Sequence, residues 1–324
     1  MKVYRDLSAW LPEPGPLCAA IGFFDGLHRG HARVIAAAQR RADAQGGHAW
    51  VITFDPHPAV VVKPDAAPRL LTTLGHKLRL FGREHVEGCM IVPFTTSFAR
   101  HSPETFVQIL ANSAPQLSDL FVGRNWRFGK GRQGNVAMLE ALARERGISV
   151  TAVPSSKHLG EPVSSTRIRE AVVAGDLGSA ANMLGRPFSV IGKIARGRQI
   201  GRELGYPTAN VETADLVMPP HGIYATYALL GDGIPRPGVV SFGVRPTFHS
   251  ERNEPAVFEL HVFDYEGNLY GSEIEVFLMD RIRDELTYKD ADALRKAIAN
   301  DVAEARKILR RKKLKESLYT PIDA

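Results

Sequence analysis

The chain has 324 residues, too many for one small core and comfortable for two domains. Hydrophobic residues make up 44% and charged residues 23%, a globular mix, and 41 Lys and Arg against 35 Asp and Glu leave a net charge of +6, which suits polyphosphates and nucleic acid alike. The two cysteines exclude a disulfide framework and a CxxC metal pair, and neither a signal-peptide core nor a bilayer-length apolar run is present, so a soluble cytoplasmic protein is the expectation.

In chain order, five short apolar runs read as strands: LCAAIGFF (17–24), HAWVITF (48–54), GCMIVPF (88–94), DLFVG (119–123) and ISVTAVP (148–154). The alanine-rich stretch HARVIAAAQRRADAQG follows the first, and NVAMLEALARERG (135–147) precedes the last; both read as helices. Buried strands alternating with crossover helices predict an α/β domain with a parallel sheet, whose ligands sit at the carboxyl ends of the strands. Residues 164–185 read as a closing helical pair. After Gly185-Arg186-Pro187 the texture changes to closely spaced strands without intervening helices, which predicts an antiparallel barrel or sandwich. A final helix is expected near 290–315, and the domain boundary near 186, giving domains 1–185 and 186–324.

The strongest local motif is IGFFDGLHRGHARVI (21–35), where a strand runs through Gly22 and Asp25 into His28-Arg29-Gly30-His31 at the start of a helix. The i, i+3 spacing puts His28 and His31 on one face, beside the free N–H groups of a helix start, which attract phosphate. Gly30 leaves room for a close-lying nucleotide. Capping or zinc-binding histidines are the alternative; zinc needs three or four ligands and no third is indicated locally.

VSSTRIRE (163–170) offers Ser164, Ser165 and Thr166 before a helix carrying Arg169, which suits either a phosphate cradle or ordinary capping. Gly129-Lys130-Gly131-Arg132-Gln133-Gly134 is formally GxGxxG, but the next strand ends without the acidic residue of a dinucleotide site, so it reads as a glycine-rich loop and not as an NAD site.

In the second half, GKIARGRQIGRELGYPTANV (192–211) is a Gly- and Arg-rich flap without the P-loop pattern. Thr208 and Asn210 would point to one side of an extended segment, as magnesium ligands or as ordinary loop residues. VFELHVFD (257–264) alternates, with Phe258, Leu260 and Val262 facing one way and Glu259 and His261 the other. The basic stretch RKILRRKKLKE (306–316) reads as the solvated end of a helix, not as a nucleic-acid site.

GxFDGxHxGH followed by SSTxxR resembles the nucleotidyltransferase superfamily. TFDPHP (53–58), LLTTLGHKLRLF (70–81), VPFTTSFARHSPETFV (92–107) and VGRNWRFGKGRQGN (122–135) are similar to the adenylyltransferase half of prokaryotic bifunctional riboflavin kinase/FAD synthetases. GRELGYPTAN, GIYA, FGVRPTF, FELHVFD, LYG and RIRDE are similar, in that order, to its riboflavin kinase module.

The resemblance implies a Rossmann-like nucleotidyltransferase domain, then a six-stranded Greek-key barrel, and an enzyme that turns riboflavin into FMN and FMN into FAD with ATP and Mg²⁺. It implies His28 and His31 on the ATP phosphates, and Gly22, Asp25, Gly30, Ser164, Ser165, Thr166 and Arg169 around the nucleotide. In the second half it implies phosphates at Gly197, Gly201 and Gly205, magnesium at Thr208 and Asn210, and Glu259 as the base. Asn125, Arg283 and Asp284 would meet the flavin, and Asp55 and His57 are weaker assignments.

The expected partners are flavins and ATP, with neither nucleic acid nor membrane, and a transient homo-oligomer left open. The sequence departs from the family pattern at Phe23, Asn135, Glu203 and Ser241; Glu203 motivates an alternative in which the barrel binds flavin without phosphorylating it. A second alternative is a non-enzymatic regulator whose basic tail binds RNA.

Overall fold

The computed structural model describes residues 1–10, 14–195, 204–243 and 256–319. Tertiary contacts divide the chain into two units, Met1–Ser165 and Thr166 onward.

The first unit is built on β1 (Lys2–Tyr4), β2 (Leu17–Ile21), β3 (His48–Asp55), β4 (Gly88–Pro93), β5 (Leu117–Gly123) and β6 (Ser149–Val153). All six pair in parallel, in the order β1-β4-β3-β2-β5-β6. Five are the expected runs. β1 is an additional edge strand, three residues long, with no apolar run to announce it. β6 is the opposite edge and is mostly exposed or half-buried, unlike the buried strand its sequence suggests.

The crossover helices are α1 (Arg29–Gln45), α3 (Leu74–Arg83), α4 (Pro103–Ser113) and α5 (Val136–Arg144), with the short α2 (Pro58–Val62) after β3. Alternation along the strands sends Cys18, Ala20, Val51 and Cys89 toward α1 and α3. Ala19, Ile21, Trp50, Ile52 and Met90 face α4 and α5. On α1, Val34, Ile35, Ala38 and Ala42 recur at helical spacing and are all buried; each larger one contributes about 1.5–3 kcal/mol. The two thiols are sealed in this sheet, and burial pushes Cys18 up to about 11 and Cys89 up to about 12. From β2 the chain runs toward one edge through β3 and β4, then returns to place β5 on the other side of β2. The β2/β5 neighbourhood is therefore the topological switch point, where a crevice opens beyond the strand ends.

In the second unit, α6 (Ser165–Val173) and α7 (Leu177–Leu184) form the expected helical pair, α6 beginning at the last residue of the first unit, and α7 packs on β9 and β14 of the barrel. The barrel strands are β9 (Phe188–Ala195), β10 (Ala209–Thr213), β11 (Gly222–Leu229), β12 (Pro235–Gly243), β13 (Val257–Val262) and β14 (Glu273–Arg283). They close in the order β10-β13-β12-β11-β14-β9, every pair antiparallel. Three consecutive strands form a meander and β14 returns between β11 and β9, the Greek-key pattern the resemblance implies.

Tyr224, Val240, Leu260, Ile274 and Val276 are fully buried. Alternate residues Ile223, Ala225 and Val239 face α8 (Ala291–Arg311) and pack on its Ala305 and Leu309. This last helix is capped by Asp290 and ends on Arg310 and Arg311, both favourable to its dipole. Among the described residues no helix is long and apolar enough to cross a membrane.

Candidate functional site

The segment after β2 turns unusually tightly: Phe24 (φ 52°), Gly26 (φ 78°) and Leu27 (φ 36°) all take positive φ within four residues. Such a turn persists only where its surroundings over-determine it. Phe24 is buried against Phe81, edge to face at 5.5 Å. The buried Asp25 carboxylate accepts from Leu71 N (3.0 and 3.1 Å), Thr72 N (3.1 Å) and Thr72 Oγ1 (3.1 Å). Gly26 N donates to Thr72 Oγ1 at 3.0 Å, and Ser165 Oγ to the Asp25 carbonyl at 2.9 Å.

Asp25, expected at the nucleotide, is in the structure the tie that locks this turn to residues 71–72. Asp25→Ala is expected to destabilise the first unit by about 2–4 kcal/mol in urea unfolding, because two buried N–H groups lose their acceptor. An unchanged midpoint would remove the tie.

The locked turn delivers the two histidines. His28 is the N-cap of α1, and its Nδ1 accepts from His31 N at 3.2 Å. With Nδ1 an acceptor, the neutral ring carries its proton on Nε2. The two imidazoles stack at 3.6 Å with planes 13° apart. His31 Nδ1 is buried with no hydrogen-bond partner among the described residues. A Cβ at Gly30 would lie 3.0 Å from His28 Cε1, and one at Gly22 would lie 3.2 Å from the Phe24 ring. These glycines therefore make room for the loop's own rings.

Burial above all, then the charges of His28 and Lys77, holds His31 well below its ordinary 6.5. Above pH 6.5 the ring is neutral folded or unfolded. As pH falls below 6.5 toward the lower folded value, the unfolded chain gains a proton the folded chain resists, and stability declines. His31→Phe should flatten that decline in urea midpoints measured from about pH 7 to about pH 5; an equally steep variant would contradict it.

Lys77, a cation the sequence reading did not single out, is also buried in this region; its Nζ lies 3.4 Å from the Phe23 carbonyl, and burial lowers its pKa while Asp25 and Asp55 raise it.

Beyond the strand ends lies an aromatic belt. Phe23 meets Phe54 at 5.3 Å and His57 at 5.5 Å, and Phe54 meets Phe94 at 6.0 Å. Phe106 touches Phe128 at 5.4 Å, and Trp126 stacks on Phe128 at 4.9 Å and 12°. Phe23, Phe94, Phe98 and Trp126 are only partly buried, and Trp126 Nε1 is buried with no partner among the described residues. The available signal was an aromatic residue at or just past the end of each central strand.

Asn125 is exposed immediately after β5, on the switch-point side. Asn135 caps α5 by accepting from Met138 N at 2.9 Å, which accounts for an Asn there. His57 caps α2. In the glycine-rich loop, Phe128 and Gly134 form a β-bridge, so it folds onto the belt. Ser164 and Ser165 are half-buried, Thr166 is exposed and Arg169 is half-buried along α6.

In the barrel unit the antiparallel register sets Asn210 directly opposite Glu259, and Glu259 opposite Ser241 on its other side. Directly opposed residues share a face. Phe258, Leu260 and Val262 are buried while Glu259 and His261 are half-buried, as the alternation predicts. Thr208 lies just before β10 and lines a cavity of about 580 Å³ with Pro207, Ala209 and residues 265–270.

Arg283 turns to α8: its guanidinium holds Asp301 through two hydrogen bonds of 2.8 and 2.6 Å, and Asp284 pairs with Arg281 at 2.5 Å. Gly205 takes φ 86°. Gly197, Gly201 and Glu203 lie outside the described residues, as does FGVRPTF beyond Gly243.

Comparison with known proteins decides the family. An FAD synthetase model matches residues 12–167 and a riboflavin kinase model matches 184–309. The bifunctional riboflavin kinase/FMN adenylyltransferase of Escherichia coli (strain K12) is 34% identical over 94% of this chain and 97% of its own. The chain belongs to the bifunctional riboflavin kinase/FMN adenylyltransferase family.

The relative of the same name from Pseudomonas fluorescens is also 34% identical, over 94% of this chain and 97% of its own. A solved structure described as a macrolide-efflux protein from Streptococcus pneumoniae has a TM-score of 0.81 at 26% identity, covering 94% of this chain and 98% of that one. As a member of this enzyme family the chain carries its FAD synthetase part on the parallel-sheet unit and its riboflavin kinase part on the barrel.

Proposed function

We propose that each of the two transfers has its own set of residues, both supplied by ATP. The observation that carries this is the placement of the stacked imidazoles in one unit and the Asn210–Glu259 pair in the other. The catalytic domains are taken as 1–185 and 186–324, with Gly185 closing α7 at φ 83°.

In the barrel unit, Glu259 takes the proton of the riboflavin 5′-hydroxyl as its oxygen bonds the γ-phosphorus of ATP, and ADP leaves. The cavity beside Thr208, lined by Ala209, Leu260 and Val262 and not by Glu259 or Asn210, is large enough for a nucleotide. Asn210 offers a neutral oxygen on the face of the Glu259 carboxylate, and Thr208 a second at the cavity. Among the described residues no group of three or more His, Cys, Asp and Glu could hold a metal. Two neutral protein oxygens suit magnesium, which keeps water and phosphate oxygens as its other ligands and, when bound, would neutralise phosphate charge.

In the parallel-sheet unit, an FMN phosphate oxygen attacks the α-phosphorus of the second ATP, and pyrophosphate departs. His28 donates from Nε2 to the phosphate oxygens, and the His31 ring stacked on it supplies a second polar contact. The partly buried rings of Phe23, Phe94, Phe98 and Trp126, backed by the buried Phe54, offer the flat apolar surface an isoalloxazine ring needs. Asn125 stands at the switch point to meet the flavin phosphate. The buried thiols fit a cytoplasmic enzyme.

The test is to incubate the protein with riboflavin, ATP and Mg²⁺ and separate products by chromatography. FMN followed by FAD is expected. FAD only from supplied FMN would leave a barrel that binds without phosphorylating, and turnover of neither would sink the reading.

A further inference from the structure

We propose that His261 is a positioning residue for the phosphorylation site: its imidazole holds the Pro207 carbonyl and thereby places Thr208 and Asn210. The proposal rests on the reading that the barrel unit phosphorylates riboflavin.

His261 lies two residues after Glu259 on β13, so both project from the same face. His261 Nδ1 is 2.8 Å from Pro207 O. A carbonyl only accepts, so Nδ1 carries the proton and donates it. The ring is clamped by Tyr206, edge to face at 5.6 Å and 84°, and by Phe263 at 5.6 Å and 58°. Phe263 is in turn covered by Arg306 of α8, 4.6 Å above its ring, and Arg306 pairs with Asp264 at 2.8 Å. The imidazole therefore has a fixed orientation on a rigid strand.

Its partner needs such a fixture. Pro207 has no N–H to give to a ladder, and pairing of β10 with β13 begins only at Ala209 opposite Leu260. The carbonyl of Pro207 is the polar handle immediately before Thr208, and Thr208 lines the cavity. Small displacements of groups that hold a reacting phosphate cost rate steeply. Thus β13 contributes twice: Glu259 opposite Asn210, and His261 one step further along to pin the segment leading to both neutral donors.

Three full-length variants separate this bond from mere packing. Asparagine can put an N–H near the place of Nδ1; glutamine reaches toward the place of Nε2; phenylalanine keeps the ring and loses the donor. His261→Phe and His261→Gln are expected to lower kcat/KM for ATP in riboflavin phosphorylation about five- to tenfold, through KM for ATP and not for riboflavin. His261→Asn should stay within about twofold of the wild type, and FMN-to-FAD conversion by the other unit should be unchanged in all three.

Calorimetry with ADP and magnesium should show one of two binding events weakened by the same factor in His261→Phe and the other untouched. A fully active His261→Phe, or an Asn variant as impaired as Phe, overturns the proposal. A wild type that makes no FMN sinks the kinase reading instead, and calorimetry then decides the tie by itself.

Discussion

Glu259→Ala is expected to stop FMN formation from riboflavin while supplied FMN is still converted to FAD. An alcohol is a poor nucleophile until a base takes its proton as the new bond forms, and removing a positioned base costs about 10²–10⁴ in rate. The carboxylate lies in a row with Asn210 on one side and Ser241 on the other, on a half-buried face of a closed barrel. Alanine removes the base and shortens a side chain that is not part of the apolar interior, so the barrel should survive. Glu259→Gln is the sharper control because it keeps shape and hydrogen bonding and removes only basicity; it should lose FMN formation nearly as completely. If either variant also loses FMN adenylylation, the two sites are not separate. If Glu259→Gln phosphorylates riboflavin at the wild-type rate, Glu259 is not the base.

What the sequence revealed and what it hid follow from the range of the interactions. Five strands, the crossover helices α1 and α5 and the change to a barrel after Pro187 were legible because hydrophobic period and turn residues are local signals. The face of Glu259 was legible for the same reason, since alternation along one strand decides it. β1 was not, because three residues paired with Gly88–Met90 owe their conformation to the sheet edge they join.

The tie made by Asp25 was hidden because its partners, Leu71 and Thr72, are 46 and 47 positions away. The pairing of Arg283 with Asp301 of α8 was likewise hidden, because 18 positions separate them. The aromatic belt is the clearest case. No single segment is rich in aromatic residues, and only the return of β5 to the side of β2 gathers Phe23, Phe54, Trp126 and Phe128 at one end of the sheet. Charge and shape at a site depend on topology, which no window of sequence contains.

The imidazole pair sets the second large effect. His28→Asn is expected to lower kcat for FAD formation by about 10²–10³ and leave riboflavin phosphorylation intact. Asparagine is a good N-cap and its Oδ1 can accept from His31 N as Nδ1 now does, so α1 should keep its start. What it cannot do is extend to the position of Nε2, from which the ring donates. The loss therefore isolates a donor aimed at charge that grows as the α-phosphorus is attacked.

His28→Ala removes the cap as well and should be less stable by about 1 kcal/mol, with no further loss of rate if the donor is the main contribution. His31→Ala should also impair FAD synthesis, since it removes the ring that stacks on His28. Replacement at either position with FAD synthesis within about twofold of the wild type would mean that the stacked rings only cap and pack the helix, and the nucleotide would have to be sought elsewhere along the strand ends.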